Sequence, residues 1–318
     1  MLAYRLPLGA LMIAGLIGVI ALDNRLDQLD LQGTFWQTLF LGRPYLPAGL
    51  GVLAMMLVLQ ALLAREIAGL IRSTQGSADG FLIWLAGFVG CVLMYIVPVG
   101  VDGATTVAIH ASAMVVLFVL ALGRYSWHRW TDGAIVAVAV VMFAFVYAGL
   151  LPGFFLAMRR FHSAWMLLAV LMVIKSADIG AYFVGRLIGR HKLIVWLSPG
   201  KTWEGLVGGL GFATGVATLL AWMSNEWGWA GSWQGVGEAR EYVRMTLPLV
   251  FAAGAGLAVA AVGQLGDLAA SAFKRDAGTK DSGTGVPGFG GVLDVVDSPI
   301  LAAPVAFWLL TLAGRFAG

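Results

Sequence analysis

The chain has 318 residues, of which 60% are hydrophobic and 12% charged, and its formal net charge is +3. A mean hydropathy of +0.87 excludes an ordinary soluble globular domain. The composition therefore indicates an integral membrane protein.

Nine apolar runs are long enough to cross roughly 30 Å of hydrocarbon, which takes about 20 helical residues. In chain order they lie near 6–22, 46–64, 81–101, 107–122, 133–152, 164–185, 206–223, 246–266 and 299–316. The fifth contains AIVAVAVVMFAFVYAGLL, which is apolar on every face, whereas membrane β-barrel strands alternate apolar and polar residues. We therefore predict an all-α polytopic protein with about nine transmembrane helices, folded as a single membrane domain (1–318).

Two smaller expectations concern the N-terminal half. The first run follows only Arg5 and ends in GVIALDN, a poor signal-peptidase site, so we expect it to be retained. The single cysteine, Cys91, lies inside the third run, which leaves neither a disulfide nor a cysteine metal site. We expect Cys91 to pack against apolar neighbours.

The 20 Lys and Arg residues predict the orientation, because cytoplasmic loops carry an excess of them. With the N-terminus inside, the inner segments hold twelve: Arg5, Arg65, Arg72, Arg124, Arg129, Arg186, Arg190, Lys192, Lys201, Lys274, Arg275 and Lys280. The outer segments hold seven: Arg25, Arg43, Arg159, Arg160, Arg240, Arg244 and Arg315. We expect the 6/7 loop (about 186–205) and the 8/9 loop (about 267–298) to share the cytoplasmic side. The basic segment MRRFH argues against this orientation locally, because it falls on the outer side between the fifth and sixth spans.

Asp178 stands out in the sixth run, within IKSADIGAYFVGR. An ionisable group at membrane depth is costly and generally faces a cavity or a partner. One interpretation is an ion pair with Lys175 one turn earlier. The other follows from Tyr182 and Arg186, which continue the same helix face toward the 6/7 loop and would aim the acid at a bound substrate.

Asp267 is the second acid at membrane depth, in VGQLGDLAASAFKR. Ser271, Lys274 and Arg275 follow it at i+4, i+7 and i+8, on one helix face. A helix-end cation alone would be structural, but the whole stripe indicates a site.

The 6/7 loop reads HKLIVWLSPGKTWEG. Ser198 as N-cap and Pro199 at the first helical position predict a helix start there. Free backbone N–H groups beside Lys201 and Thr202 would then form a phosphate site. A Walker A loop is excluded, because that motif requires glycine where the chain has Val195.

The 8/9 loop contains KRDAGTKDSGTGVPGFGGVLDVVDS, whose glycines and proline exclude a regular helix. Asp294 and Asp297 stand three residues apart just before Pro299, where we expect the ninth helix to begin. Asp297 and Ser298 have the alternative reading of plain N-caps. Asp294 lies too early for that role.

Five acids and four cations are thus expected on one side of the membrane: Asp178, Asp267, Asp281, Asp294, Asp297, Lys201, Lys274, Arg275 and Lys280. Carboxylates without His or Cys suit magnesium, which takes one or two of them together with substrate phosphates. Lys and Arg complement phosphate charge. The pattern indicates phosphoryl or nucleotidyl transfer at a membrane surface.

The stretch SAFKRDAGTKDSGTGVPGFGGVLDVVDS resembles the signature of the phosphatidate cytidylyltransferase (CDP-diacylglycerol synthase) family. The matching positions are Ser271, Lys274, Arg275, Lys280, Asp281, Gly283, Pro287, Gly288, Gly290, Gly291, Asp294 and Asp297. The blocks ADIGAYFVGRLIGRHKL, LSPGKTWEG and QLGD extend the likeness upstream in the same order. The resemblance implies a catalytic region in 161–318, whereas 1–160 match only as hydrophobic spans.

Three positions depart from the family pattern. Phe289 replaces a His, Val295 an Arg, and Gly200 a Lys. Each change removes a potential phosphate contact, but the acids and the paired cations remain. An active enzyme is therefore favoured over a degenerate one.

The resemblance implies transfer of CMP from CTP to phosphatidic acid, giving CDP-diacylglycerol and pyrophosphate, in the cell (inner) membrane with the active-site loops on the cytoplasmic side. It implies magnesium at Asp267 and Asp294, with manganese as the alternative and room for a second cation. Asp281, Asp297 and Lys280 would assist catalysis. The implied substrate-binding residues are Ser198, Lys201, Thr202, Glu204, Ser271, Lys274, Arg275 and Asp178. The implied partners are the two substrates and the lipid bilayer, without nucleic acid, and the choice between monomer and homodimer stays open.

Two alternatives remain. A relative could use CTP on another lipid, as a CDP-archaeol synthase or a polyprenol kinase does, and apolar spans do not reveal the lipid. A secondary transporter would use Asp178 and Lys175 as an ion relay, but such proteins often contain repeated halves, which this sequence lacks.

Overall fold

The structure is a computed structural model that describes residues 2–39, 45–74, 79–97, 101–127, 133–229, 231–234, 241–283, 285–286, 288 and 290–316. Its helices are α1 (Leu2–Leu26), α2 (Phe35–Leu39), α3 (Leu50–Ser73), α4 (Gly80–Ile96), α5 (Gly103–Ser126), α6 (Ala134–Ala144), α7 (Leu151–Phe161), α8 (Ala164–Ile188), α9 (Trp203–Trp227), α10 (Leu249–Asp276) and α11 (Val292–Phe316). A π-helix, Phe145–Leu150, joins α6 to α7. Two antiparallel pairs complete the elements: β1 (Lys192–Ile194) with β2 (Ser198–Thr202), and β3 (Gly231–Gln234) with β4 (Glu241–Arg244).

The all-α membrane architecture is confirmed. Eight helical segments of the described chain are long and apolar enough to cross a membrane. The third predicted span corresponds to α4, which is apolar but only 17 residues long. The predicted fifth span is one continuous segment, Ala134–Phe161, in which α6, the π-helix and α7 follow without a break. Cys91 is fully buried in α4, as expected.

Small residues let the helices of the C-terminal half approach closely, as is typical of membrane bundles. α8 packs against α9, and α10 packs against both α9 and α11. A Cβ atom on Gly209 of α9 would lie 2.6 Å from the Ala177 carbonyl oxygen of α8. A Cβ atom on Gly266 of α10 would lie equally close, 2.6 Å, to the Asp297 carbonyl oxygen of α11. The second contact brings neighbouring Asp267 close to the start of α11.

The predicted helix start at Ser198 is wrong. Ser198 and Pro199 belong to β2, and α9 begins only at Trp203. The side chain of Thr202 caps the helix instead, since its Oγ1 accepts a hydrogen bond from the Gly205 backbone N at 3.1 Å. A Thr four residues downstream thus performs the capping that the Ser-Pro pair was expected to perform.

The predicted start of the last helix is also wrong. α11 begins at Val292, so Asp294, Asp297 and Ser298 lie within its first two turns and Pro299 lies inside the helix. The N-cap reading of Asp297 and Ser298 therefore fails. The helix can begin early because Glu66 of α3 accepts hydrogen bonds from the Val292 and Leu293 backbone N–H groups.

The position of Arg159 accounts for part of the local conflict between the MRRFH segment and the predicted orientation. Arg159 lies in α7 rather than in a loop, and its side chain is fully buried. Its Nε donates to Asp23 of α1 at 2.5 Å, and it also pairs with Asp27. A buried and neutralised arginine does not count as a loop charge, so one of the seven outer cations drops out of the comparison.

Candidate active site

The 6/7 loop borders a cavity of about 490 Å³ between α8, the β1–β2 hairpin, α9 and α10, to which α10 contributes Gln264 and Asp267. Its polar lining consists of Asp178, Tyr182, Arg186, Ser198, Lys201, Thr202, Gln264 and Asp267. Across the loops, Arg275 Nε donates to the Leu197 backbone oxygen at 3.3 Å. The two loops therefore lie at the same end of the helices, as expected, and the assignment of that end to the cytoplasm stays a prediction.

A chain of polar contacts connects the two acids at membrane depth. Lys201 Nζ lies 2.8 Å from Asp267 Oδ2 and 3.3 Å from Gln264 Oε1. Gln264 Nε2 donates to Asp178 Oδ1 at 2.8 Å, and Lys175 pairs with Asp178 Oδ2 at 3.3 Å. The predicted Lys175–Asp178 pair is thus present, but it is only one contact of a network that lines the cavity.

Asp297 lies at the inner edge of this network. It is 5% exposed, and its Oδ1 accepts from the Ser298 backbone N at 2.6 Å. Ser298 Oγ in turn lies 3.4 Å from Asp178 Oδ2, which joins α11 to α8. The Asp297 carboxylate is close enough to Asp267 and Asp178 to be repelled by them and close enough to Lys175 to be attracted by it. The charges of these three acids therefore interact with one another.

Asp294 forms a second centre at the start of α11. Its Oδ1 pairs with Lys274 Nζ of α10 at 2.6 Å, and both side chains are 11% exposed. Its Oδ2 accepts from the Ser282 backbone N at 2.9 Å, the Ser282 Oγ at 3.0 Å and the Gly291 backbone N at 2.8 Å. Four donors therefore converge on one carboxylate and fix its orientation.

The remaining predicted residues occupy more peripheral positions. Lys280 and Asp281 are exposed on the Gly-rich loop, and Ser271 is half-buried in α10. Glu204 points away from the acids: it accepts from the Arg190 backbone N at 3.1 Å and contacts His191 Nδ1 at 2.5 Å. Glu204 therefore holds the beginning of the 6/7 loop against α9.

Magnesium fits the site by its donor chemistry. Within the described residues no three His, Cys, Asp or Glu side chains converge as a ready-made metal cluster. Asp267 and Asp294 are instead each neutralised by one lysine, Lys201 and Lys274. Because Mg²⁺ is commonly held by one or two carboxylates together with substrate phosphates, a site completed by the substrate needs no such cluster.

Sequence reasoning missed three residues of the site. Gln264 bridges Lys201 and Asp178, while Ser282 contacts Asp294 directly and connects it to Glu66. Glu66 was missed because the second apolar run was expected to end at 64, which placed it in a loop. It lies inside α3, where the rule that flagged Asp178 applies equally.

The three residues that depart from the family pattern, Gly200, Val295 and Phe289, lie in different parts of the chain. Gly200 lines the cavity, and a Cβ atom added there would meet no atom within 4 Å. The absent lysine therefore leaves the mouth of the cavity open. Val295 is half-buried in α11, and Phe289, like Pro287, lies outside the described residues.

Comparisons with known proteins agree with this geometry. A family model described as "Cytidylyltransferase family" matches residues 32–313. The chain is 30% identical over 235 residues to a phosphatidate cytidylyltransferase of Bacillus subtilis, a match that covers 73% of this chain and 80% of the relative. It is 38% identical over 144 residues to the Haemophilus influenzae protein of that name, and 40% over 149 residues to that of Pseudomonas aeruginosa. The chain spans about half the length of these last two relatives, 45% and 48%.

Proposed function

Because the chain belongs to the cytidylyltransferase family, we propose that it transfers CMP from CTP to phosphatidic acid, giving CDP-diacylglycerol and pyrophosphate. The cavity carries this proposal, since it places Lys201 beside Asp267 at the membrane end of two polar loops. The choice of acceptor is supported by the relatives from Bacillus subtilis, Haemophilus influenzae and Pseudomonas aeruginosa, which are named phosphatidate cytidylyltransferases.

In the proposed reaction, a phosphate oxygen of the lipid attacks the α-phosphorus of CTP. A new P–O–P linkage forms, and the bond between the α-phosphorus and the oxygen bridging to the β-phosphorus breaks, releasing pyrophosphate. The attacking oxygen is already anionic near neutral pH, so no side chain has to remove a proton from it. The protein contributes positioning and charge neutralisation.

The cations of the site have distinct places in this proposal. Lys201 faces the cavity and Lys274 stands at Asp294, so both can exchange a carboxylate for a phosphate of CTP. Arg186 lies in the cavity wall, where its Nη1 donates to the Tyr182 hydroxyl at 2.8 Å. In this proposal a lipid phosphate would enter at that wall. Ser198 and Thr202 offer hydroxyl groups in the same wall, and Arg275 and Lys280 stand on the loop side.

Asp267 and Asp294 would hold Mg²⁺, or Mn²⁺ in its place, with Asp297 and Asp281 as orienting carboxylates. When bound, the metal supplies positive charge to the attacking and leaving oxygens. In this proposal Asp178 orients Gln264, which donates to its Oδ1, and Lys175, which pairs with its Oδ2.

One assay tests the reaction. Purified protein in detergent, given labelled CTP, phosphatidic acid and Mg²⁺, is expected to produce CDP-diacylglycerol and pyrophosphate in equal amounts. Mass spectrometry of the lipid product separates this outcome from a CTP-dependent enzyme acting on another lipid. Absence of product with phosphatidic acid, together with turnover on an isoprenoid acceptor, would refute the proposed substrate.

We also propose that the cavity faces the cytoplasm in a multi-pass cell membrane. The basic residues of the 6/7 and 8/9 loops support this side, and CTP is a cytoplasmic nucleotide. Sealed inside-out vesicles should then accept external CTP, whereas right-side-out vesicles should not until they are permeabilised. The reverse pattern would place the loops outside.

A further inference from the structure

Glu66 of α3 holds the start of α11. Its Oε1 accepts from the Val292 backbone N at 2.6 Å, and its Oε2 accepts from the Leu293 backbone N at 2.9 Å. These are the first amides of the helix, which have no partner within it. A carboxylate there also complements the positive end of the helix dipole. The N-terminus of α11 is therefore occupied by the chain's own anion rather than open to a substrate phosphate.

Ser282 connects Glu66 to Asp294. Its buried Oγ lies 2.9 Å from Glu66 Oε2 and 3.0 Å from Asp294 Oδ2. A hydroxyl group carries a single proton, so the two carboxylates share one donor. A change in the charge of Glu66 therefore changes the hydrogen bonding of Asp294 directly.

The Gly-rich loop closes tightly around Glu66. A Cβ atom on Gly291 would lie 2.3 Å from Glu66 Oε2, and one on Gly283 would lie 3.2 Å from its Cδ. Leu63 and Ile67 of α3 also share a buried apolar cluster with Leu293 of α11. The loop thus lies against the Glu66 carboxylate, and α3 packs against the first turn of α11.

We propose that Glu66 is a positioning residue for Asp294, acting through Ser282 and the first turn of α11. It sets the orientation in which Asp294 presents Oδ1 to Lys274 and to a metal ion. The inference rests on the proposed function only through the role of Asp294 as a metal ligand. It assigns a part in the site to the N-terminal half of the chain.

Glu66→Gln tests the proposal. The amide keeps the size of the carboxylate, but its NH₂ group must face at least one backbone N–H donor of α11. We expect binding of Mn²⁺, measured by electron paramagnetic resonance in detergent without CTP, to weaken by about 10–100-fold, as is typical when a residue supporting a metal ligand is lost. The kcat should fall by a similar factor, with little change in the KM for CTP.

Ser73→Ala is the matched control. Ser73 lies on the same helix, where its Oγ donates to the Leu70 backbone oxygen at 2.6 Å and lies 3.3 Å from the Ala277 backbone oxygen, and it has no hydrogen bond to Asp294 among the described residues. This variant should bind Mn²⁺ like the wild type even if its unfolding temperature drops.

If Glu66→Gln fails to fold, Ser282→Ala tests the connection between Glu66 and Asp294 instead. It removes the shared hydroxyl but keeps the hydrogen bonds that the α11 amides donate to Glu66, so it should remain folded and still lose Mn²⁺ affinity. Wild-type Mn²⁺ affinity in the folded variants would overturn the inference. A wild-type protein that binds Mn²⁺ but makes no CDP-lipid would instead refute the proposed function, leaving Glu66 to be judged by Mn²⁺ binding alone.

Discussion

Asp294→Asn is expected to abolish measurable transfer from CTP to phosphatidic acid, with a loss of at least about 10²–10³-fold in kcat, the usual cost of removing one preorganised electrostatic group. Both oxygens of Asp294 face donors: Oδ1 faces Lys274, and Oδ2 faces Ser282 and Gly291. An asparagine must therefore turn its NH₂ group toward a donor in either rotamer. We expect the NH₂ group to face Lys274, because the remaining oxygen then still accepts the hydrogen bonds from Ser282 and Gly291 that hold the loop. The variant thereby loses the anionic oxygen that pairs with Lys274.

The measurement is initial rate against Mg²⁺ concentration in detergent, together with thermal unfolding. Asp276→Asn provides the matched control, since Asp276 is an exposed acid at the end of α10. It should retain activity, while Asp294→Asn should remain folded and inactive at every Mg²⁺ concentration. Full activity of the Asp294 variant would eliminate this carboxylate as a metal ligand.

The sequence predicted the features that depend on local pattern. Apolar length located the eight helical segments that are long enough to span a membrane and the shorter apolar helix α4. The i, i+4, i+7, i+8 spacing correctly placed Asp267 and Lys274 on one continuous helix, α10. The cost of an acid at membrane depth drew attention to Asp178 and Asp267, and both of them line the cavity. None of these inferences required knowledge of a distant partner.

The failures share a physical cause, which is competition from distant groups. Ser198 and Pro199 have the local chemistry of a helix start, but pairing with β1 draws them into a strand. Pro299 resembles a first helical residue, but Glu66, more than 200 positions away, supplies the acceptors that let α11 begin at Val292. Such long-range hydrogen bonds leave no trace in a local pattern.

Spacing predicted the pair of Lys175 with Asp178 but not the pairs of Lys201 with Asp267 and Lys274 with Asp294. The Lys201 pair leads to the second large effect. Lys201→Met should raise the KM for CTP by about 10–100-fold, the cost of a lost charge-assisted hydrogen bond to phosphate. The same variant should bind Mn²⁺ more tightly than the wild type when CTP is absent. In the free protein Lys201 neutralises Asp267 at 2.8 Å, so removing it releases a carboxylate for the metal.

Weaker binding of CTP together with tighter binding of Mn²⁺ distinguishes this exchange of partners from general damage to the cavity, which would weaken the binding of both ligands. Met retains much of the length of the lysine stem, and Gln264 keeps its hydrogen bond to Asp178, so the wall should stay in place. Lys192→Met, an exposed lysine on β1, is the control and should change neither affinity. Calorimetric titration with CTP and paramagnetic titration with Mn²⁺ measure the two affinities separately. Unchanged Mn²⁺ affinity in Lys201→Met would mean that Asp267 does not bind the metal, whereas weaker affinity would mean that Lys201 supports the metal site rather than competing with it.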